Sequence, residues 1–476
     1  MYSIKLCSSV PQYEIEELVK MFVPKGSYEI TVDEALDNSQ SFSVVFEKEE
    51  ISNKIEDFYY RGEEPQDIKA LKNAVKRGIF TAFSNATGKS LPWGILTGVK
   101  PVKIVRELYQ KGKSHSEIFE YMKEFYLLND DKAGLLIETL KNQYDQSSER
   151  DPDNVGIYLG IPFCPTRCVY CSFTANVAKK GEIERYLEAL YKEIEYVSAK
   201  MKGKGIMAES FYIGGGTPTT LSAEQLDDLL NKIFTEFDMS RCEEFTVEAG
   251  RPDTITREKL EVIQKHGIKR ISINPQSMNE KTLEAIGRLH SPNQINEAYK
   301  LAEEVGIEYI NMDLIAGLPG EELEDFKRTL DEVAAFGPAN ITIHTLALKR
   351  ASKLKEEDSE FNYREVEKLA SMVDFSRNMM DDLGYKPYYL YRQKYMVGNL
   401  ENIGYAKPGT ECLYNIKTMD ERQTMIALGA GGISKRYYPG ENRIERAANV
   451  SNYEIYIERI DEMLERKNQL IFANWQ

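Results

Sequence analysis

From residue 155 to residue 383, short runs rich in β-branched residues alternate six times with helical periodicity, and this alternation restricts the 476-residue chain more than any other feature. Strands are expected at 155–159, 210–213, 244–248, 268–273, 307–315 and 341–345. After the first, Ile183, Leu187, Leu190, Tyr191 and Ile194 recur at helical spacing, and helices are expected at 222–235, 256–266, 279–305, 321–336 and 363–383 after the others. Strands joined by helices pair in parallel with right-handed crossovers. Six such units can form an open barrel or a doubly wound sheet. Polar or glycine residues recur just after each strand, where barrel sites are built, so the expected core is a partial (β/α)6 barrel over 151–385.

The flanks read differently. Residues 1–60 are expected to form a small α/β accessory domain, with strands at 2–7, 28–33 and 42–47 and an amphipathic helix at 12–22. Residues 61–150 read as a helical accessory region, broken at Pro92, Gly98, Pro101 and Gly112, that ends in a polar linker at 145–154. Gly88-Lys89-Ser90 looks like the end of a P-loop, but the earlier glycine that motif needs falls on Phe83, so it reads as an ordinary loop. Residues 386–476 are rich in aromatics and glycine and read as an α+β cap.

A net charge of −15 repels nucleic acid and anionic membranes, so neither is an expected main partner. No signal peptide or apolar span long enough to cross a bilayer is read, and a cytoplasmic location is expected.

Three of the six cysteines fall in the loop after the first barrel strand, as Cys164-x-x-x-Cys168-x-x-Cys171. Three thiolates on one loop can hold three corners of an iron–sulfur cube and leave one iron without a protein ligand. Structural zinc wants a fourth ligand, and no nearby His or Cys pair supplies it; a catalytic zinc with an open position remains an alternative. Around this loop, the glycine run 214–216 permits close backbone approach, Glu248 can accept from an ammonium, Arg288 can pair with a carboxylate and Asp313 can bind ribose hydroxyls. Each has a plainer reading: a tight turn, an N-cap partner, a solvated helix arginine. Their common position at strand ends of one sheet is the stronger argument.

Together these residues resemble the radical S-adenosylmethionine (SAM) superfamily. More closely, Tyr158-Leu-Gly-Ile-Pro-Phe-Cys164, Gly214-Gly-Gly-Thr-Pro218, Val247-Glu248, 271–276 followed by Arg288, and Asp313-Leu-Ile-Ala-Gly-Leu-Pro319 resemble the oxygen-independent coproporphyrinogen III oxidases over about 150–440. The long N-terminal region and the 391–405 segment resemble the HemZ-type branch, named coproporphyrinogen dehydrogenase. The resemblance implies a [4Fe-4S] cluster on Cys164, Cys168 and Cys171. It implies contacts to SAM from Tyr158, Gly215, Glu248 and Ile433, and a second SAM position lined by Tyr170, Gly216, Thr217, Gln276, Arg288, Asp313 and Ala347. In that family, reductive cleavage of SAM gives a 5′-deoxyadenosyl radical that takes hydrogen from a propionate. Loss of carbon dioxide and an electron leaves a vinyl group, and two rounds give protoporphyrinogen IX. A low-potential donor such as flavodoxin or ferredoxin is implied as electron source.

Two positions depart from the oxidase pattern. Phe173 stands where the oxidases carry one more cysteine, and Gly160 where they carry histidine. The missing cysteine is shared with haem-binding or haem-delivering relatives and with anaerobic haem-degrading methyltransferases, so carriage or breakdown of haem stands beside turnover of a porphyrinogen. A tetracarboxylate porphyrinogen or haem-like tetrapyrrole needs cations at its rim. Arg392 and Lys394, set among tyrosines, and Lys407 are the candidates, the alternative being a packed tyrosine strand with snorkelling cations.

Overall fold

The computed structural model describes all residues except 8–9, 25, 38–40, 47–48, 62–66, 99, 145–151, 172–175, 348–364, 394–395, 474 and 476. The chain divides into two compact units, Met1–Lys141 with Gly398–Leu400, and Asn142–Val397 with Glu401–Gln476.

In the first unit, β1 (Tyr2–Leu6), β2 (Tyr28–Val32), β3 (Ser41–Phe46) and β4 (Glu49–Lys54) form a sheet of order β2-β1-β3-β4. β1 and β2 are parallel because the helix Gln12–Phe22 joins them, and its Ile15, Leu18, Val19 and Phe22 are buried in a core with Ile4, Leu6 and Phe42. Helices Ile68–Thr87, Val102–Gln110, His115–Tyr126 and Asp130–Tyr144 follow, with breaks where the sequence placed Pro92, Gly98, Pro101 and Gly112. Gly88 ends the first of them at φ 67°, the left-handed conformation that favours glycine, so the P-loop look-alike is a helix C-cap. The linker expected at 145–154 lies largely outside the described residues.

In the second unit β5 (Asn154–Ile161), β6 (Met207–Gly215), β7 (Glu244–Gly250), β8 (Arg270–Ile273), β9 (Tyr309–Ala316) and β10 (Asn340–Thr345) are parallel neighbours in sequence order. A doubly wound sheet reverses its order at a switch point, and this one does not, which makes it the sheet of a partial barrel. One face of each strand is apolar and buried against helices, for example Phe211 and Ile213, Val247, Ile271 and Ile273, Met312 and Leu314, Ile341 and Ile343. The alternate positions carry Tyr158, Tyr212, Glu248, Ser272, Asp313 and His344, so the opposite face is polar.

Residues 386–476 are α+β as expected, and their strands enter the same sheet. β11 (Lys386–Tyr391) and β12 (Asn402–Ala406) add antiparallel beyond β10. β13 (Met425–Leu428) adds parallel to β5, followed by β14 (Ile433–Tyr438) and β15 (Arg443–Ala448). Between them, the helix Leu413–Asp420 lies against the N-terminal ends of the barrel strands. Glu244, first residue of β7, accepts from Leu413 N at 2.9 Å and Tyr414 N at 3.0 Å, an N-cap supplied by another element. Arg270 faces Glu244 at 3.2 Å and donates to Thr410 O, and Lys417 pairs with Glu209 at 3.2 Å. Tyr414 stacks on Tyr212 at 4.7 Å inside the barrel.

Candidate functional site

Pro162 stops β5, and the chain enters the cysteine loop with the end of β6 fastened to it. Gly216 N donates to Ile161 O at 2.8 Å and Thr217 N to Phe163 O at 2.7 Å. A Cβ on Gly216 would stand 2.5 Å from Phe163 O, so only glycine lets the two backbones approach this closely. Cys164 Sγ lies 3.3 Å from Thr217 Oγ1, and Cys171 N donates to Cys168 O at 3.2 Å. Val169 N bonds Ile286 O, and Thr166 Oγ1 bonds Gly287 O at 3.1 Å. Arg251, buried and paired with Asp253 at 2.8 Å, donates to Thr166 Oγ1 at 2.7 Å. The loop is thus held from the ends of β6 and β7 and from the residues that close the short helix Glu280–Ala285, and the Arg251 brace is a contact that sequence reasoning missed.

The six cysteines form no disulfide. Burial pushes Cys164 up to about 11, against the pull of the Thr217 hydroxyl, so its thiol keeps a proton until a metal displaces it. Among the described residues no three His, Cys, Asp or Glu side chains converge on a single ion. A cube asks for no such convergence, because its corners place each thiolate on a different iron.

Beside the loop stands a buried polar group. Arg288 is 8% exposed, not solvated; its Nη1 donates to Asn274 O at 2.5 Å and its Nη2 reaches Tyr170 OH at 3.3 Å. Gln276 sits at φ 68°, with its N donating to Asp313 O at 2.9 Å. Asn311 donates to Asp313 Oδ1 at 2.8 Å and His344 Nε2 lies 3.6 Å from Oδ2; burial opposes ionisation there, but these partners hold the Asp313 carboxyl below its usual range. Burial, with Asp313 adding to it, pushes Glu248 up to about 8. Arg288 Nε, Gln276 Oε1 and Asn274 Oδ1 are buried without a hydrogen-bond partner among the described residues. A ligand carrying a carboxylate, hydroxyls and an ammonium would satisfy all of these.

A cavity of about 390 Å³ opens next to this group, within the range that small cofactors occupy. Tyr158, Gly215, Glu248 and Ile433, far apart in the chain and implied together by the resemblance, all line it. Gly216 also lines it, and Ile433 is half-exposed at the start of β14. Ala347 pairs with Met396 just beyond β10.

Of the cations expected at a tetrapyrrole rim, the two described ones, Arg392 and Lys407, do not gather here. Arg392 is 2% exposed, with burial lowering it to about 10 despite Glu401, so it is a core residue just beyond β11. Lys407 N donates to Ala339 O and its Nζ to Gly337 O at 2.6 Å, just before β10 begins; antiparallel pairing carries it to the end of the sheet opposite the cysteine loop. Lys394 lies outside the described residues.

Comparison with known proteins agrees with this arrangement. The Radical SAM superfamily model matches residues 158–333. The chain is 39% identical over 409 residues, 85% of its length and 82% of the relative's, to the oxygen-independent coproporphyrinogen-III oxidase-like protein HemZ of Bacillus subtilis strain 168. It is 28% identical over 301 residues, 61% of the chain and 72% of the relative, to the heme chaperone HemW of Escherichia coli K12. Among solved structures, the coproporphyrinogen III oxidase HemN from Escherichia coli, a radical SAM enzyme, matches with a TM-score of 0.52 and 21% identity over 66% of this chain and 70% of that one, a likeness of fold.

Proposed function

Because the chain belongs to the radical SAM superfamily, among the oxygen-independent coproporphyrinogen III oxidase-like proteins, with a [4Fe-4S] cluster and SAM as cofactors, we propose that it oxidatively decarboxylates coproporphyrinogen III. Two propionates become vinyl groups, giving protoporphyrinogen IX. When bound, the cofactors supply an oxidant able to take hydrogen from a saturated carbon. Cys164, Cys168 and Cys171 hold the cluster in this reading. Tyr158, Gly215, Glu248 and Ile433 hold SAM, with Glu248 accepting from its ammonium. Tyr170, Gly216, Thr217, Gln276, Arg288, Asp313 and Ala347 line a second SAM position. A flavodoxin- or ferredoxin-like donor provides the electron.

The observation that supports a working SAM site, and so turnover, is the polar set beside the cysteine loop, with Arg288 Nε, Gln276 Oε1 and Asn274 Oδ1 buried and without a hydrogen-bond partner among the described residues. Of the four histidines, His115 stacks on Tyr109, His266 bonds Asp227 at 2.7 Å, His344 lies between Asp313 and Tyr391, and His290 is buried.

The test is an anaerobic reaction of reconstituted protein with SAM, dithionite and coproporphyrinogen III, read by mass spectrometry. Stepwise loss of two carboxyl groups with proportionate 5′-deoxyadenosine is the expected result. Unchanged porphyrinogen alongside SAM cleavage would overturn the substrate and favour haem.

A further inference from the structure

One wall of the cavity is Ala430-Gly431-Gly432, which the chain enters from Gly429 and leaves into Ile433. A glycine-rich loop ordinarily offers its amides to an anion. Here they are bonded away from a ligand. Gly429 N donates to Glu193 Oε2 at 2.7 Å, Ala430 N to Tyr186 OH at 3.0 Å, Gly431 N to Val450 O at 2.8 Å and Gly432 N to Gly429 O at 3.1 Å. These four N–H groups are therefore not free to bind an anion, which suits the flat face of a purine rather than a phosphate.

Behind the loop lies the most deeply buried charge pair described. Glu193 and Lys467 are both fully buried, with Lys467 Nζ 2.6 Å from Glu193 Oε1. Asn449 Nδ2 donates to Glu193 Oε1 at 2.9 Å and to Gly429 O at 2.8 Å, and Tyr456 OH donates to Glu193 Oε2 at 2.6 Å. Tyr186, two turns before Glu193 on the same helix face, donates to Gly160 O at 2.6 Å. Gly429, at φ 87°, lies so close to β5 that a Cβ there would stand 2.4 Å from Gly160 O. Burial works against ionisation of Glu193, but Lys467 and the bonded donors outweigh it and hold its carboxyl below the usual range.

A buried ion pair is weak evidence for stability, because an apolar pair of the same shape often does as well. An apolar pair could not accept from Gly429 N–H. We infer that Glu193, neutralised by Lys467 and assisted by Tyr186, is a positioning residue that fixes the Gly429–Gly432 wall and thereby sets the affinity for SAM. The helix Ile460–Lys467 is then part of the cofactor site without touching it.

The experiment uses the full-length, reconstituted protein and measures the SAM dissociation constant by anaerobic equilibrium dialysis, with iron per chain and thermal unfolding read on the same samples. Tyr186→Phe, which deletes one oxygen, and Glu193→Gln, which leaves Lys467 unpaired, are each expected to weaken SAM binding by about tenfold at parental iron content. Glu193→Gln combined with Lys467→Met restores neutrality and keeps an acceptor for Gly429 N–H, so its SAM affinity returns towards the parent's. A merely structural role predicts lower thermal stability in both single variants with unchanged SAM affinity in the folded, four-iron protein, and that result overturns the inference. A parent that binds no SAM overturns both the inference and the cofactor assignment.

Discussion

Replacing Gly216 by alanine adds one methyl group at the seam between β6 and the cysteine loop. Its carbon would lie 2.5 Å from Phe163 O and 2.9 Å from that residue's C and N, all backbone atoms that no rotamer change can clear. Non-bonded carbons settle at about 3.5 Å or more, so the seam must open by about 1 Å. Opening strains the Gly216–Ile161 and Thr217–Phe163 bonds and shifts Cys164, the next residue in the chain. Gly216 is outside the left-handed region, so the effect is steric and not conformational. Overpacking of this kind costs about 1–3 kcal/mol, and a misplacement of about 1 Å at a reacting site costs about 10²-fold in rate. The expected outcome is lower iron retention, an unfolding free energy reduced by that amount in anaerobic urea titration, and 5′-deoxyadenosine formation slowed by about 10²-fold. Gly98→Ala is the control: nothing lies within 4 Å of its Cβ, and stability should stay within about 0.5 kcal/mol of the parent. Gly216→Ala with parental iron, stability and SAM cleavage would refute the argument that this close approach sets the cluster loop.

Three further outcomes follow from the site. Glu248 has its folded pKa raised to about 8, above an unfolded value of about 4.3, so its contribution is full at low pH and is lost as pH rises through 8; Glu248→Gln should flatten the fall in ligand-free stability between pH 5 and pH 8.5, measured by urea unfolding across that range. Glu244→Ala removes the cap from the helix Leu413–Asp420 and strands buried Arg270, and should cost about 3–5 kcal/mol in the same assay; a loss below 1 kcal/mol would show that the helix does not depend on it. Cys168→Ser should abolish both the cluster absorbance after reconstitution and SAM cleavage, and retention of both would remove the cysteine loop from the chemistry.

Much of the second unit was legible in the chain. Strand and helix periods are local properties, so the six β/α units appear with boundaries shifted by only a few residues. β6 runs on through Gly215, where a strand ending before the glycine run was expected, because Ile161 pairs with it. β4 went unread, as its Glu49-Glu50-Ile-Ser-Asn-Lys54 has no apolar alternation to mark it. The polar face of the barrel was present as every second residue of β6 to β10, a signal that could have pointed to Tyr212, Asn274, Asn311 and His344.

The sequence by itself determined the parallel sheet, the cysteine spacing and the glycine and acidic residues at the strand ends, because each depends on neighbours a few positions away and on the short loops that follow parallel strands. Only the tertiary structure decided what meets across long separations. Sheet order brings β13 to β5, and with it the Gly429 loop to Glu193 and Lys467. Antiparallel register carries Lys407 to the far end of the sheet, and burial beside Glu401 turns Arg392 from a rim cation into a core residue. A lysine or glutamate reads alike in the chain whether it will face solvent, pair in a core or aim a cofactor loop. The difference is the free energy of desolvation, and that is fixed only when the fold chooses its neighbours.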